Sequence, residues 1–149
     1  MKTKFYEFDP VIYPFPLLVC KYVSGHTPDD IASTFNGVVD EHTVQAIDDG
    51  FRPNPTSIAK TACVVSKKSG EMYYLVILYR PRRCSFGVVT HESLHVMTML
   101  FDWLGIKPPT LSEDEPHAYF SQWVANCIGS ILEGHPEMMK GIVFNDNEE

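Results

Sequence analysis

Residues 85–105 read SFGVVTHESLHVMTMLFDWLG, and this segment is the most informative about the fold. Ser85 is a typical N-cap residue, and Gly105 is a typical stop for a helix. Between them, apolar residues recur at spacings of three to five, as they do along one helical face. These residues are Phe86, Val89, Leu94, Met97, Leu100, Phe101 and Leu104. The pattern predicts an amphipathic helix that packs against a sheet.

The middle of this helix carries the motif His91-Glu92-Ser93-Leu94-His95. Residues four apart share a helical face, so His91 and His95 can converge on one metal ion. Glu92 lies about 100° further round the helix, where its carboxylate can take a proton from a metal-bound water. Zinc fits best, because two nitrogens and one carboxylate leave its fourth tetrahedral position open for that water. The simpler alternative is a helix that happens to carry two partly buried histidines.

A third zinc ligand is expected on the segment that follows. The metzincin pattern would place a histidine six residues after His95, but Phe101 stands there, which excludes that class. The candidates in this segment are Glu113, Asp114, Glu115 and His117. His117 lies about 200° round the helix from Glu115, so the two side chains cannot both face the metal. For His117 we therefore favour a surface position.

A second helix is predicted from near Pro116 to about Leu132. A residue before proline is biased away from helical geometry, so Glu115 should stand at the entrance of this helix. Ser112-x-x-Glu115 also matches a capping box, in which Glu115 would only bond a backbone amide. Ligand and cap therefore both stay open from the residues alone. Core packing is the default expectation for Tyr119 and Trp123, spaced four apart.

Three features together resemble the small zinc metallopeptidases of bacteriophages and prophages, over roughly residues 85–130. They are the H-E-x-x-H motif, an apolar helix closing on Leu104-Gly105-Ile106, and Glu115-x-x-Ala118-Tyr119-x-x-Gln122-Trp123. Those enzymes are similar to gluzincins, in which a glutamate on the next helix completes the site. The resemblance implies His91, His95 and Glu115 as zinc ligands and Glu92 as general base. It also implies that Tyr119 orients a ligand or hydrogen-bonds the oxyanion.

The region before the motif, residues 1–84, is expected to be β-rich with one short helix. The predicted elements are strands from Phe5 to Tyr13 and from Leu17 to Val23, a helix from Thr27 to Phe35, and a hairpin from Thr61 to Ser66 and Met72 to Arg80. The expected fold is one α+β domain over residues 1–149: a small twisted, mostly antiparallel sheet against the two helices of residues 85–134, as in a minimal zincin core. The resemblance places the strand before the site helix at or near the sheet edge, where a peptide can add. Residues 140–149 are expected to fray.

Composition excludes several function classes. The chain has 149 residues and a formal charge of −7, with no basic cluster longer than residues 80–83, so a nucleic-acid partner is not expected. Its apolar stretches are shorter than the roughly 20 residues of a membrane span. Acidic residues and prolines interrupt the apolar run after the N-terminus, unlike a signal peptide. The scattered cysteines Cys20, Cys63, Cys84 and Cys127 are expected to be reduced thiols. We therefore expect a cytoplasmic protein, and the resemblance to phage and prophage enzymes implies the cytoplasm of a bacterial host.

The H-E-x-x-H motif and the resemblance together predict a zinc-dependent metallopeptidase. It would hydrolyse a peptide or protein substrate with water activated by Glu92. One alternative is a non-catalytic phage protein that keeps a retained or structural metal site and binds a host or virion protein. Another is a metal-dependent amidohydrolase acting on peptidoglycan stem peptides. The remaining histidines, His26, His42 and His135, stand in polar or turn-rich contexts and are expected to be solvated.

Overall fold

The computed structural model describes residues 3–22, 31–38, 51 and 56–145. Its elements are β1 (Phe5–Phe8), β2 (Leu17–Lys21), β3 (Phe35–Gly37), β4 (Ala59–Ser66), β5 (Met72–Leu78), α1 (Phe86–Trp103), α2 (Glu115–Glu133) and β6 (Ile142–Val143), with short 3-10 turns at Pro81–Arg83 and Pro136–Met139. The six strands and two long helices of the described ranges confirm the predicted α+β class. None of the helices in these ranges is long and apolar enough to cross a membrane.

The strands form one sheet in the order β3-β4-β5-β2-β1-β6. Neighbouring strands are antiparallel except for β2 and β5, which are parallel, so the expectation of a mostly antiparallel sheet is confirmed. The predicted hairpin is β4–β5, and Gly70 in its turn has φ 73°. That left-handed conformation favours glycine because a Cβ is strained there.

The strand before the site helix is β5, and the expectation that it lies at or near the sheet edge is wrong. It pairs with β4 on one side and with β2 on the other, so no peptide can add to it. The physical reason is its sequence, MYYLVIL, in which residues 73–78 are all buried. A strand that is apolar on both faces belongs in the interior of a sheet that is covered on both sides.

Each face of the sheet has its own core. On one face, Tyr74, Val76 and Leu78 pack with the inner residues of α1 and α2. The opposite face buries the alternate residues of β5 together with Ile31, Phe35 and Phe51. The prediction that both helices lie against one face is therefore confirmed.

The ends of both helices agree with the sequence prediction. Ser85 caps α1, because its Oγ accepts a hydrogen bond from the Val88 amide at 3.3 Å. Gly105 follows α1 with φ 71°, and Gly134 ends α2 with φ 78°. The buried stripe of α1 differs from the predicted one, since Val96 is buried whereas Phe86 and Leu94 are exposed.

Part of the C-terminal stretch that was expected to fray has regular structure. Residues 142–143 form β6 and pair with β1. Phe144 then packs among the aromatic rings of the face opposite the helices. A short apolar run can thus cover the edge of β1, and Gly141 allows its close approach, since a Cβ there would lie 2.6 Å from the Phe8 ring. Residues 146–149 lie outside the described residues.

Two N-terminal predictions are adjusted. The first strand ends at Phe8 rather than near Tyr13. Of the short helix predicted from Thr27 to Phe35, residues 27–30 lie outside the described ranges; Ile31 and Ala32 are helical, and Phe35 already begins β3. All four cysteines are free thiols, two of them buried and two partly buried.

Candidate metal centre

The two histidines of the motif lie together on the exposed face of α1. Their Nε2 atoms are 3.1 Å apart, and the ring planes cross at 79°. Two nitrogens that bind one tetrahedral zinc at 2.0–2.1 Å are separated by about 3.3 Å. The pair therefore already has the spacing of two adjacent zinc ligands. The same distance fits a hydrogen bond between the rings, in which one Nε2–H donates to the other Nε2.

No third ligand joins this pair within the described residues. Those residues contain no group of three or more His, Cys, Asp or Glu side chains that could hold a metal ion. The described part of the chain thus supplies two nitrogen donors of the right chemistry and spacing for zinc. The third protein ligand stays a prediction.

Glu92 has a different environment from its neighbour His91. Its side chain is only 5% exposed, and Oε2 accepts a hydrogen bond from the Thr61 hydroxyl at 2.5 Å. The carboxylate also influences Cys84: burial, and then the negative charge of Glu92, raise the pKa of that thiol. Glu92 is therefore held on the β4 side of α1, beside the histidine pair rather than within a three-donor cluster with it.

Glu115 is the first residue of α2 and is exposed. Its place at the helix entrance, with Pro116 next in the first turn, confirms the prediction from the proline. The capping-box alternative is wrong. Asp114 is the N-cap residue and makes no side-chain cap bond, so Glu115 stands two positions too early to return a bond from the third helical position.

The start of α2 lies against the C-terminal end of α1. The Phe101 ring is 4.6 Å from the His117 ring and 5.7 Å from that of Phe120. Phe101 comes six residues after His95, which places it about 9 Å further along α1 and about 120° round it. The described structure therefore does not bring Glu115 together with the histidine pair, and its role as a ligand stays a prediction.

The surface position predicted for His117 is wrong. The side chain is only 7% exposed, and Nε2 lies 3.0 Å from the Lys107 carbonyl oxygen. Since a carbonyl only accepts, Nε2 carries the proton and donates it. Nδ1 is buried without a hydrogen-bond partner in the described part of the chain. His117 is buried because the connector between the helices folds back over the first turn of α2.

Tyr119, for which the resemblance implies a role toward a ligand or the oxyanion, is 68% exposed. Its predicted core packing is wrong, because the next residue, Phe120, enters the core instead, about 100° further round α2. Trp123 is partly buried and does pack on this core. The role of Tyr119 toward an oxyanion stays a prediction.

The other predicted surface histidines divide into two groups. His135 is exposed as predicted, with Nδ1 3.1 Å from a carboxylate oxygen of Glu137. His26 and His42 lie outside the described residues.

Sequence reasoning missed Thr61. Alternate residues of β4 face the helices, and Ala59 and Cys63 pack on that core. Thr61 stands between them at the same face and is 9% exposed. A hydroxyl at a core-facing strand position needs a partner, and this was the available signal in the sequence.

Comparisons of the chain with protein-family models, with curated proteins and with solved structures give no match. The residues of α1 and β4 therefore carry the functional assignment.

Proposed function

We propose that this protein is a zinc-dependent, peptidase-like hydrolase. The observation that carries the proposal is the 3.1 Å separation of the His91 and His95 Nε2 atoms, on a helix that buries the intervening Glu92. Two converging imidazoles and an adjacent carboxylate are the parts that metal-assisted hydrolysis requires. The proposed substrate is a peptide or protein, and the proposed setting is the cytoplasm of a bacterial host of a phage or prophage.

His91 and His95 would hold the zinc ion through Nε2, with the proton of each ring on Nδ1. Glu115 is the third ligand that the resemblance implies. Zinc, when bound, supplies Lewis-acid polarisation of the substrate carbonyl and acidifies a water molecule.

Glu92 is proposed as the proton carrier. The Thr61 hydroxyl engages Oε2, so Oε1 is the oxygen that takes a proton from the attacking water and returns it to the leaving amine. Burial keeps competing water away from this carboxylate. Tyr119 would donate its phenol hydrogen to the developing oxyanion from the exposed side of α2.

We further propose that the fold is a zincin-like core. The motif helix is followed by a second helix on the same face of a mostly antiparallel sheet, which supports this assignment. Because β5 lies inside the sheet, a bound peptide would have to lie elsewhere than along that strand.

One observation favours the alternative of a non-catalytic protein with a metal site. Both histidines are exposed, and the described residues bring no third donor to them. Such a pair can also bind a metal ion that a host or virion protein completes with its own ligand.

The test combines zinc content with turnover of fluorescently quenched casein. We expect about one zinc per chain, and Glu92→Gln should keep the metal while hydrolysis falls by about 10²–10⁴-fold. Glu133→Gln, the same substitution at the exposed end of α2, is the matched control and should leave both unchanged. Absence of zinc in the reconstituted protein would overturn the proposal. Bound zinc without hydrolysis would instead support the non-catalytic alternative.

A further inference from the structure

We propose that Thr61 is a positioning residue that fixes the orientation of the Glu92 carboxylate. This inference rests on the proposed function. Thr61 Oγ1 donates to Glu92 Oε2 at 2.5 Å, between two side chains that are 9% and 5% exposed. Hydrogen bonds to an ionised carboxylate are short and about twice as strong as neutral ones.

Both partners of this bond stand on rigid elements. Thr61 lies within β4, where it pairs with Val76 of the central strand. Glu92 lies near the middle of the 18-residue helix α1. Threonine is β-branched, so few rotamers are open to its hydroxyl. Because the donor is itself held in place, the hydrogen bond holds the Glu92 carboxylate in one orientation.

Orientation matters because Glu92 is the direct neighbour of His91. An unrestrained carboxylate at this position can rotate toward the histidine pair and bind the metal ion itself, since carboxylate oxygens are good zinc ligands. Thr61 holds Oε2 on the β4 side and so keeps Glu92 as a base. Loss of the hydroxyl should convert Glu92 from a base into a ligand.

The experiment uses Co²⁺ in place of zinc, because the visible absorption of bound Co²⁺ reports its ligands without any substrate. Thr61→Val removes the hydroxyl at nearly constant shape and is expected to shift the absorption bands. Thr61→Ser keeps the hydroxyl and should restore the wild-type spectrum. Thr90→Val is the matched control, because this hydroxyl next to His91 donates to the Phe86 carbonyl at 2.8 Å and not to Glu92. In a Glu92→Ala background, Thr61→Val should cause no further shift.

Each outcome decides the inference. A Thr61→Val protein that binds Co²⁺ with the wild-type spectrum would overturn the positioning role and leave the proposed function standing. The same would follow if Thr61→Val shifted the bands equally in the Glu92→Ala background, since Thr61 would then act through another group. Failure of the wild-type protein to bind Co²⁺ or Zn²⁺ would overturn the proposed function, and this inference with it. If circular dichroism shows that Thr61→Val is unfolded, Thr61→Ala takes its place in every comparison.

Discussion

The two helices present the same residue types in opposite ways. In α1, His91 and His95 are exposed while Glu92 is buried against β4. At the entrance of α2, Glu115 is exposed while His117 is buried. An exposed imidazole pair can accept an ion from solvent, whereas a buried imidazole with its Nε2–H already donated serves the fold. Burial and hydrogen-bond partners, more than residue type, therefore separate a metal site from a structural contact.

The partners of the side chains explain this inversion. Glu92 is buried because Thr61 supplies a hydrogen bond for its carboxylate, which offsets the loss of water. His117 is buried because Phe101 and the Lys107 carbonyl surround it where the connector meets α2. Within the described part of the chain, Glu115 has neither kind of partner at the first position of α2, and its side chain is exposed. Metal chemistry is therefore expected at α1 and structural support at the entrance of α2.

The largest expected effect tests this division through zinc affinity. His91→Ala and His95→Ala each remove one of two converging nitrogen donors. Even the loss of a residue that only hydrogen-bonds to a metal ligand weakens metal binding by about 10–100-fold. We therefore expect either substitution to reduce zinc affinity by more than about 100-fold, in a titration against a competing chelator. If Glu115 keeps its described place near the C-terminal end of α1, away from the histidine pair, Glu115→Ala changes the affinity far less.

Glu115→Ala is also the variant that can contradict this division of roles between the two helices. The resemblance to phage metallopeptidases predicts a loss as large as that of His91→Ala. Such a result would mean that zinc draws the start of α2 toward the histidine pair, and Glu115 would be the third ligand. Ser112→Ala provides a control on the same segment and should behave as wild type in either case.

A smaller effect concerns the stability of the folded chain. His117→Ala removes an aromatic contact with Phe101, a hydrogen bond to Lys107 and buried volume, so we expect a loss of about 2–3 kcal/mol in the free energy of unfolding. Glu115→Ala removes only a favourable charge in the first helical turn, worth less than about 1 kcal/mol. Urea unfolding of the metal-free proteins measures both.

His117→Phe sharpens this measurement. Phenylalanine keeps the ring contact and removes a buried Nδ1 that has no partner in the described structure. His117→Phe should therefore lower the free energy of unfolding by about 1 kcal/mol or less. Equal losses for His117→Ala and Glu115→Ala would contradict a structural role for His117.

The same contrast shows how far sequence reasoning reaches. Sequence reasoning predicts features that depend only on positions within one helix, because the backbone sets the 3.6-residue period. These features are the histidine pair, the Ser85 cap and the Gly105 stop. Which face of α2 meets α1 decides whether the side chains of His117, Tyr119 and Phe120 are buried or exposed. A rotation of the helix by about 100° replaces one residue on that face by the next. That rotation is decided by how Phe101 and the connector pack. Thr61 shares no local pattern with Glu92, 31 residues away, and only the docking of α1 on β4 brings them together.

The smallest expected effect tests whether the negative charge of Glu92 acts on the thiol of Cys84, just before α1. Burial, and then the negative charge of Glu92, raise the pKa of the Cys84 thiol. Burial alone raises the pKa of Cys127, which is fully buried on α2. A raised thiol pKa leaves less thiolate at a given pH, so alkylation is slow and speeds up as the pH rises toward that pKa.

Glu92→Gln removes the anion, so the pKa of Cys84 should fall toward its usual range. The thiolate fraction at pH 8 then rises, and Cys84 should react faster with iodoacetamide, as followed by peptide mass spectrometry on the metal-free protein. Cys127 is the internal control and should stay protected in both proteins, because neither its burial nor its charge environment involves Glu92. Faster modification of both cysteines would indicate loosening of the fold rather than loss of a charge. An unchanged Cys84 rate in a folded Glu92→Gln protein would mean that the carboxylate is oriented away from this side of α1, against its placement beside Thr61.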